Sequence, residues 1–519
     1  MTTQDEKKRL MTKAVKKNDY REVSAEYTLP DYLPDVNRLL KVSATAAQPE
    51  KYFSADTAEY DGSVAFSIVY ASAEGKIRCA EFNADYTGNI SVPEADDFSV
   101  TDLCVKTENP TCRLQSPRKL TAKCKLCATI SVTASVCADP VVTGKMTAEA
   151  ESSLQYRKKI VEFVREIKAE EISTPVSEDI EIDPGMPYVS EVIFAELSPS
   201  VFEVRTASGK LSYSGDLLAH ILYESENGEY VSFTREVPLS GAVDADGVTE
   251  ESVAFCKAEV SNVTFRPQTN ELGESKTVEL DFDYSIYFSV FRKDTCALTD
   301  DAYSLTHENS AEKQTWKYLS LDTFKCFNFS ANESEELAED EIDRAVCVSA
   351  AASISSAEKS GSKTTLCGTV SFHAILAGKD GTFSGRTFSF PFKAETDTGK
   401  YSELFSYRAT ASVGEASARI AGGKIYFDSE ISICLVIFGE NETDALTEVA
   451  VFIDRPVEKL PKNSIILYYP TKGEDLWCVA KKYHVTKENL ASVNTLTKEN
   501  LDGGVLIIPT EKITVPAKK

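Results

Sequence analysis

The sequence predicts a mainly β protein: three tandem antiparallel, β-sandwich-like modules followed by a small β-α-α-β unit. Three observations carry this. Segments recur at a fixed step of 153 residues. Runs rich in Val, Ile, Phe, Tyr and Thr alternate apolar and polar residues around turn glycines, as half-buried strands do. Near residue 456 the charge balance changes sign. A chain of 519 residues also exceeds what one core holds, since domains average about 150 residues.

Taken in order, residues 1–20 form a basic segment. Met1 to Asp19 carries six basic side chains with no apolar run behind them, so it does not read as a secretory signal. The three modules follow at 21–143, 144–296 and 297–455. Gly62-Ser63-Val64-Ala65-Phe66-Ser67-Ile68-Val69-Tyr70 is echoed from Gly215 to Tyr223 and again from Gly368 to Leu376, each copy 153 residues after the last. Gly75, Gly228 and Gly381 keep the same step, in Glu-Gly-Lys, Asn-Gly-Glu and Asp-Gly-Thr. Glycine accepts the positive φ that tight hairpin turns require, so each module centres on a β-hairpin. Leu120 to Val132, Val278 to Val290 and Ile425 to Ile437 read as flanking strands, and Tyr156 to Ile167 as a further one. After Pro34, the spacing of Val36, Leu39 and Leu40 predicts a short helical turn with one apolar face.

From 464 to 510 the pattern is strand (Ile465 to Tyr469), helix (Asp475 to Tyr483), helix (Thr486 to Asn494) and strand (Val505 to Ile508), with a tail at 511–519. Residues 461–519 hold nine Lys against six acids, whereas the whole chain carries a net charge of -25. Leu476, Val479, Ala480 and Tyr483 form one apolar stripe. Asp475 and Thr486 are N-caps, and Val485 with Leu490 forms a hydrophobic staple. Tyr468 and Tyr469 alternate across the strand, so one of them faces the core.

The acidic balance makes nucleic acid and anionic membrane improbable partners. No window reaches 18 consecutive apolar residues, the length a membrane span needs. The 13 cysteines are irregularly spaced inside strand-like runs, which suits reduced thiols in the cytosol and predicts no obligatory disulfide.

Lys472-Gly473-Glu474-Asp475-Leu476-Trp477, Ala480-Lys481-Lys482-Tyr483-His484-Val485, Asn494 and Gly503-Gly504-Val505-Leu506-Ile507-Ile508-Pro509 resemble a LysM domain. That resemblance implies a groove for N-acetylglucosamine glycans, formed by Gly473, Glu474, Asp475 and Leu476 opposite Asn500, Leu501, Asp502 and Gly503. This sequence departs from the usual Gly-Asp-Thr and Pro-Gly-Gln of such grooves and adds two carboxylates. Pro30-Asp31-Tyr32-Leu33-Pro34-Asp35-Val36-Asn37-Arg38-Leu39-Leu40, with the glycine-initiated strand and turn, is similar to a domain of clostridial sporulation proteins. Tandem copies closed by one LysM domain are the layout of the SipL-like spore-coat morphogenetic family. The resemblance implies a non-enzymatic scaffold on the mother-cell side of the forespore, whose LysM domain docks a coat morphogenetic ATPase of the SpoIVA type. Its partner-binding residues are then Trp477, Tyr468, Lys481 and Lys482, with Trp477 partly exposed. The alternative is a cell-wall protein that binds peptidoglycan or N-acetylglucosamine through the groove.

Other constellations read as structural. His220 and His373 are equivalent by the repeat, but Ser67 stands in the first copy, so they read as polar, solvent-facing strand positions rather than a general base. Cys104, Cys112, Cys124, Cys127 and Cys137 invite a zinc site, yet Cys124 and Cys127 point to opposite faces of a strand. Glu333 to Asp343 reads as a solvated charge run. Without a Gly-x-x-x-x-Gly-Lys-Ser/Thr loop, nucleotide hydrolysis belongs to a partner. No catalytic residue, metal or cofactor is expected.

Overall fold

A computed structural model describes residues 9–509 except 55, 94–99, 138–141, 144–150, 201–202, 271–272, 338–341, 459–464 and 496–503. The chain is mainly β, arranged in multiple antiparallel sheets. The long strands Thr57–Ser72, Lys210–Ser225 and Lys363–Gly378 each lie in the middle of a sheet and begin 153 residues apart. In the first two sheets the partner edge is split into Val36–Ala46 with Glu50–Ser54, and Val189–Pro199 with Glu203–Ala207. In the third it is one continuous strand, Ile342–Ser360. Each of these sheets packs on a second one built around Lys119–Cys137, Ser275–Ser304 or Lys424–Pro456. The first core shows the principle: Val64, Phe66, Ile68 and Tyr70 face Leu103, Leu120, Leu126 and Ile130, all buried. Alternate residues of facing strands fill the space between two sheets.

The hairpin turns form where glycine permits them. Gly75, Gly228 and Gly381 have φ of 78°, 76° and 81°, and the N–H of each closes the turn onto the carbonyl of Ser72, Ser225 or Gly378. Gly62 and Gly368 serve a different need. A Cβ there would collide with Tyr86 or with the Ser353 carbonyl and Phe392.

Two expectations are corrected here. Residues after Pro34 are not helical but form the strand Val36–Ala46. Its register shifts twice, between Val36 and Arg38 and between Leu39 and Lys41. Each bulge adds an unpaired residue, so the apolar spacing imitates a helical one. Val36 and Leu39 enter the sandwich core, while Leu40 is turned to the opposite face. The same pair of shifts occurs at Val189/Glu191 and Val192/Phe194, and at Ile342/Arg344 and Ala345/Cys347. The second correction concerns sulfur: Cys326 and Cys434 are disulfide-bonded. They sit directly opposite in an antiparallel pair, a closeness that sequence separation conceals.

Outer sheet faces that alternation assigns to solvent instead pack together. Leu40, Val69 and Ile77 meet Ile193, Leu222 and Tyr230 as well as Val346 and Ile375 in one buried cluster. Leu40, Ile193 and Val346 keep the 153-residue step, so three equivalent faces converge. Among the described residues no helix is long and apolar enough to cross a membrane.

Candidate functional site: a C-terminal unit seated on the β body

The C-terminal unit runs from the strand Ile466–Tyr468 through helices Leu476–Lys482 and Lys487–Val493 to the strand Leu506–Ile508. The two strands pair antiparallel. Asp475 caps the first helix by accepting from the Cys478 N–H at 2.8 Å, and Thr486 caps the second by accepting from the Asn489 N–H at 3.2 Å. Leu476, Val479, Ala480 and Leu490 are buried together, with Val485 and Tyr483 at their margin. Asn494 joins the elements: its amide donates to the Ile507 carbonyl and accepts from the Ile507 N–H at 2.8 and 2.7 Å.

This core is not self-contained. Tyr303, from the far end of the strand Ser275–Ser304, is 1% exposed and belongs to the same cluster. Its ring meets that of Trp477 edge to face at 4.9 Å, and its hydroxyl donates to the Val485 carbonyl at 2.6 Å. Trp477, expected to be partly exposed, is 6% exposed, because the adjacent strand covers the side of the helix that the stripe leaves open. Its indole N–H donates to Asp301 Oδ2 at 2.8 Å, and Lys481 Nζ donates to Asp301 Oδ1 at 2.6 Å. Burial alone would raise the Asp301 pKa, but the hydrogen bonds from Lys481 and Trp477 hold it below the usual carboxylate value. Arg157 bridges Asp300 at 2.9 Å and Asp475 at 3.4 Å, with its guanidinium 5.7 Å from the Trp477 ring. His484 Nδ1 lies 2.7 Å from the Ser304 carbonyl.

The four expected partner contacts therefore divide. Trp477 and Lys481 face Asp301 within the chain. Tyr468 is half-buried, its hydroxyl donating to Glu474 at 2.9 Å, and the Lys482 ammonium lies 4.6 Å from the Tyr468 ring centre. Of the expected groove, Gly473 turns the chain at φ 93°. The Glu474 carboxylate is occupied by the Thr471 N–H and Tyr468 hydroxyl, Asp475 caps its helix, and Leu476 is core. Asn500, Leu501, Asp502 and Gly503 lie outside the described residues. Sequence reasoning missed Asp301 and Tyr303, which no local pattern links to a segment more than 170 residues away. It also missed the outer face of the small sheet, where Ile465, Leu467, Tyr469 and Val505 are exposed together. Period-two alternation could have found that face, since Leu467 pairs with Ile507 while Ile466 and Tyr468 turn inward.

The histidine reading also needs correction. His220 is packed between two of the sandwiches: Nδ1 lies 3.0 Å from Thr234 Oγ1 and Nε2 lies 3.1 Å from Cys347 Sγ. Burial, and then the charge of Lys41, lower both His220 and His373 to about 4. Alternation marks the face a strand residue takes but not what covers that face. A thiol beside an imidazole suggests a nucleophilic pair, but burial pushes Cys347 up to about 12. Both groups stay neutral, the opposite of the thiolate and imidazolium that such catalysis uses. Nearby, the buried Lys41 forms an ion pair with the partly exposed Glu196 and donates to Ser349 Oγ at 2.8 Å. Cys104, Cys112, Cys124 and Cys127 are free thiols, and Cys137 lies in a strand whose side chain there is undescribed. Among the described residues no cluster of three or more His, Cys, Asp or Glu could hold a metal.

Comparison with known proteins gives one positive result. Residues 188–268 match the family model SipL, SPOCS domain. No curated protein and no solved structure matches the chain. The matched segment covers the strands Val189–Pro199 to Tyr230–Asp244 and almost all of Val253–Thr269. Over residues 188–268 the chain is thus SipL-like, matching the SPOCS domain of that sporulation-related family.

Proposed function

We propose that the protein is a non-enzymatic scaffold of spore-coat assembly. Three copies of one β module, of which the second carries the SPOCS match, form a rigid body. A C-terminal LysM domain docks a coat morphogenetic ATPase of the SpoIVA type at the forespore surface, on the mother-cell side. The observation that carries this reading is the division of the C-terminal unit into two faces. One face is spent inside the chain on Asp301 and Tyr303, which ties the unit to the body. The other presents Leu467 and Tyr469, 53% and 67% exposed, beside Ile465 and Val505. An exposed apolar cluster beside polar groups suits a protein partner, for which aromatic residues are frequent anchors. Tyr468, on the inward side of the same sheet, and Lys482 over its ring do not meet Asp301 and are the retained members of the expected contact set.

A glycan ligand has less support. The carboxylates of Glu474 and Asp475 are engaged in holding the loop, and Leu476 is withdrawn into the core. Binding of the full chain to the coat ATPase of the same organism, with chitin oligomers as competitor, tests the reading. Binding that survives the oligomers supports it. Tight oligomer binding without ATPase binding replaces it with the cell-wall alternative.

A further inference from the structure

Three strands, one from each sandwich, line a cavity of about 330 Å³: the lining includes Val105–Thr107, Cys256–Val260 and Thr410–Ser412. Lys106, Glu259 and Ser412 stand 153 residues apart, so the cavity lies where equivalent strands face one another. Its charges do not balance. Lys257 is paired with Glu259 and donates to Cys104 Sγ at 2.8 Å. Among the described residues Lys106 has no hydrogen-bond or ion-pair partner. Two ammonium groups therefore share one carboxylate. Cys104 adds no negative charge, because burial raises its pKa. The repulsion is felt at Lys106: the charge of Lys257 lowers its pKa, and Lys16 adds to the effect. The whole chain carries -25, so this cavity has the sign opposite to the protein around it. Lys106 is exposed while Lys257 and Glu259 are partly buried, so the excess positive charge can be reached from solvent and a counter-charge that meets it is favourable. The hydroxyls of Thr410 and Ser412, also in the lining, are donors that suit an oxygen-rich anion.

We propose that the cavity binds a small oxyanion of the phosphate or sulfate class between Lys106 and Lys257. Thermal unfolding of the full chain, followed by differential scanning fluorimetry in inorganic phosphate at constant ionic strength, is the test. The wild-type midpoint rises with phosphate and saturates. Lys106→Gln weakens the apparent affinity by about tenfold or more, the value of one charge-assisted hydrogen bond, whereas Lys106→Arg keeps the response. In phosphate-free buffer Lys106→Gln unfolds no lower than wild type, since it removes a repulsion. An equal rise in wild type and Lys106→Gln overturns the proposal. So does no rise in wild type, or acetate matching phosphate at equal concentration.

Discussion

Asp301 is the hinge of the attachment between the β body and the C-terminal unit, and its replacement by alanine has a calculable cost. The Trp477 indole donates to its carboxylate at 2.8 Å in a buried setting, and a hydrogen bond to a charged acceptor contributes about 1.5–3 kcal/mol. The Lys481 pair, with the lysine 44% exposed, adds about 0.5–1 kcal/mol after solvent screening. Asp301→Ala therefore costs the attachment about 2–4 kcal/mol. Asp301→Asn keeps an acceptor for the indole and costs about 1–2 kcal/mol, since the charge and most of the lysine pairing go. Trp316 and Trp477 are the two tryptophans of the chain, so a Trp316→Phe background makes Trp477 the sole indole reporter. Urea titration followed by its emission should show, for Asp301→Ala, a red-shifted native spectrum and a Trp477 transition at lower urea than the far-ultraviolet signal of the β body. An unshifted spectrum with a midpoint change below about 0.5 kcal/mol, the size of an ordinary surface substitution, would refute the geometry.

Three other outcomes are expected. His220 and His373 titrate near 4 when folded against 6.5 in the free side chain. The unfolded chain then binds more protons between these values, and stability, complete above pH 6.5, falls as the pH drops towards 4. Linkage sets this at about 1–3 kcal/mol per imidazole; denaturant melts of wild type and His220→Gln across pH 4–7 should show the smaller loss in the variant. Arg118 holds the loop before Val36 by donating to the carbonyls of Leu29, Pro30 and Leu33 and to Asp35 Oδ1. Arg118→Met should cost about 1–3 kcal/mol and open a proteolytic site in 29–35; an unchanged digest would count against that clamp. Tyr303→Phe loses the bond to the Val485 carbonyl but keeps the ring contact with Trp477. It should destabilise the C-terminal unit by about 1 kcal/mol without the spectral shift of Asp301→Ala.

Much of the chain was legible because local chemistry and tertiary structure agree. The turn glycines, the two caps Asp475 and Thr486 and the buried stripe of Leu476, Val479 and Ala480 each follow from rules that act within a few residues. The strand after Pro34 was not legible, because two bulges broke the alternation that identifies strands. His220 and His373 were misplaced for a related reason. A polar residue on the outer face of a sheet faces water by default, but three such faces meet here, and their polar groups are satisfied by one another. Trp477 was misjudged because Asp301 and Tyr303 reach it from a distant strand. The Cys326–Cys434 bond likewise depends on register between strands that lie 108 residues apart in sequence. Non-local pairing, rather than composition, separates what the sequence discloses from what the fold adds.

Binding of the full chain to the coat ATPase, measured by biolayer interferometry for wild type and for Leu467→Asp with Tyr469→Asp, bears most directly on the claim that the outer sheet face docks a protein. Burying two carboxylates in an apolar contact costs several kcal/mol. The account therefore expects wild-type binding and at least a hundredfold loss in the double variant, about 2.7 kcal/mol, with its far-ultraviolet spectrum and thermal midpoint unchanged. Equal binding by wild type and the double variant would contradict it.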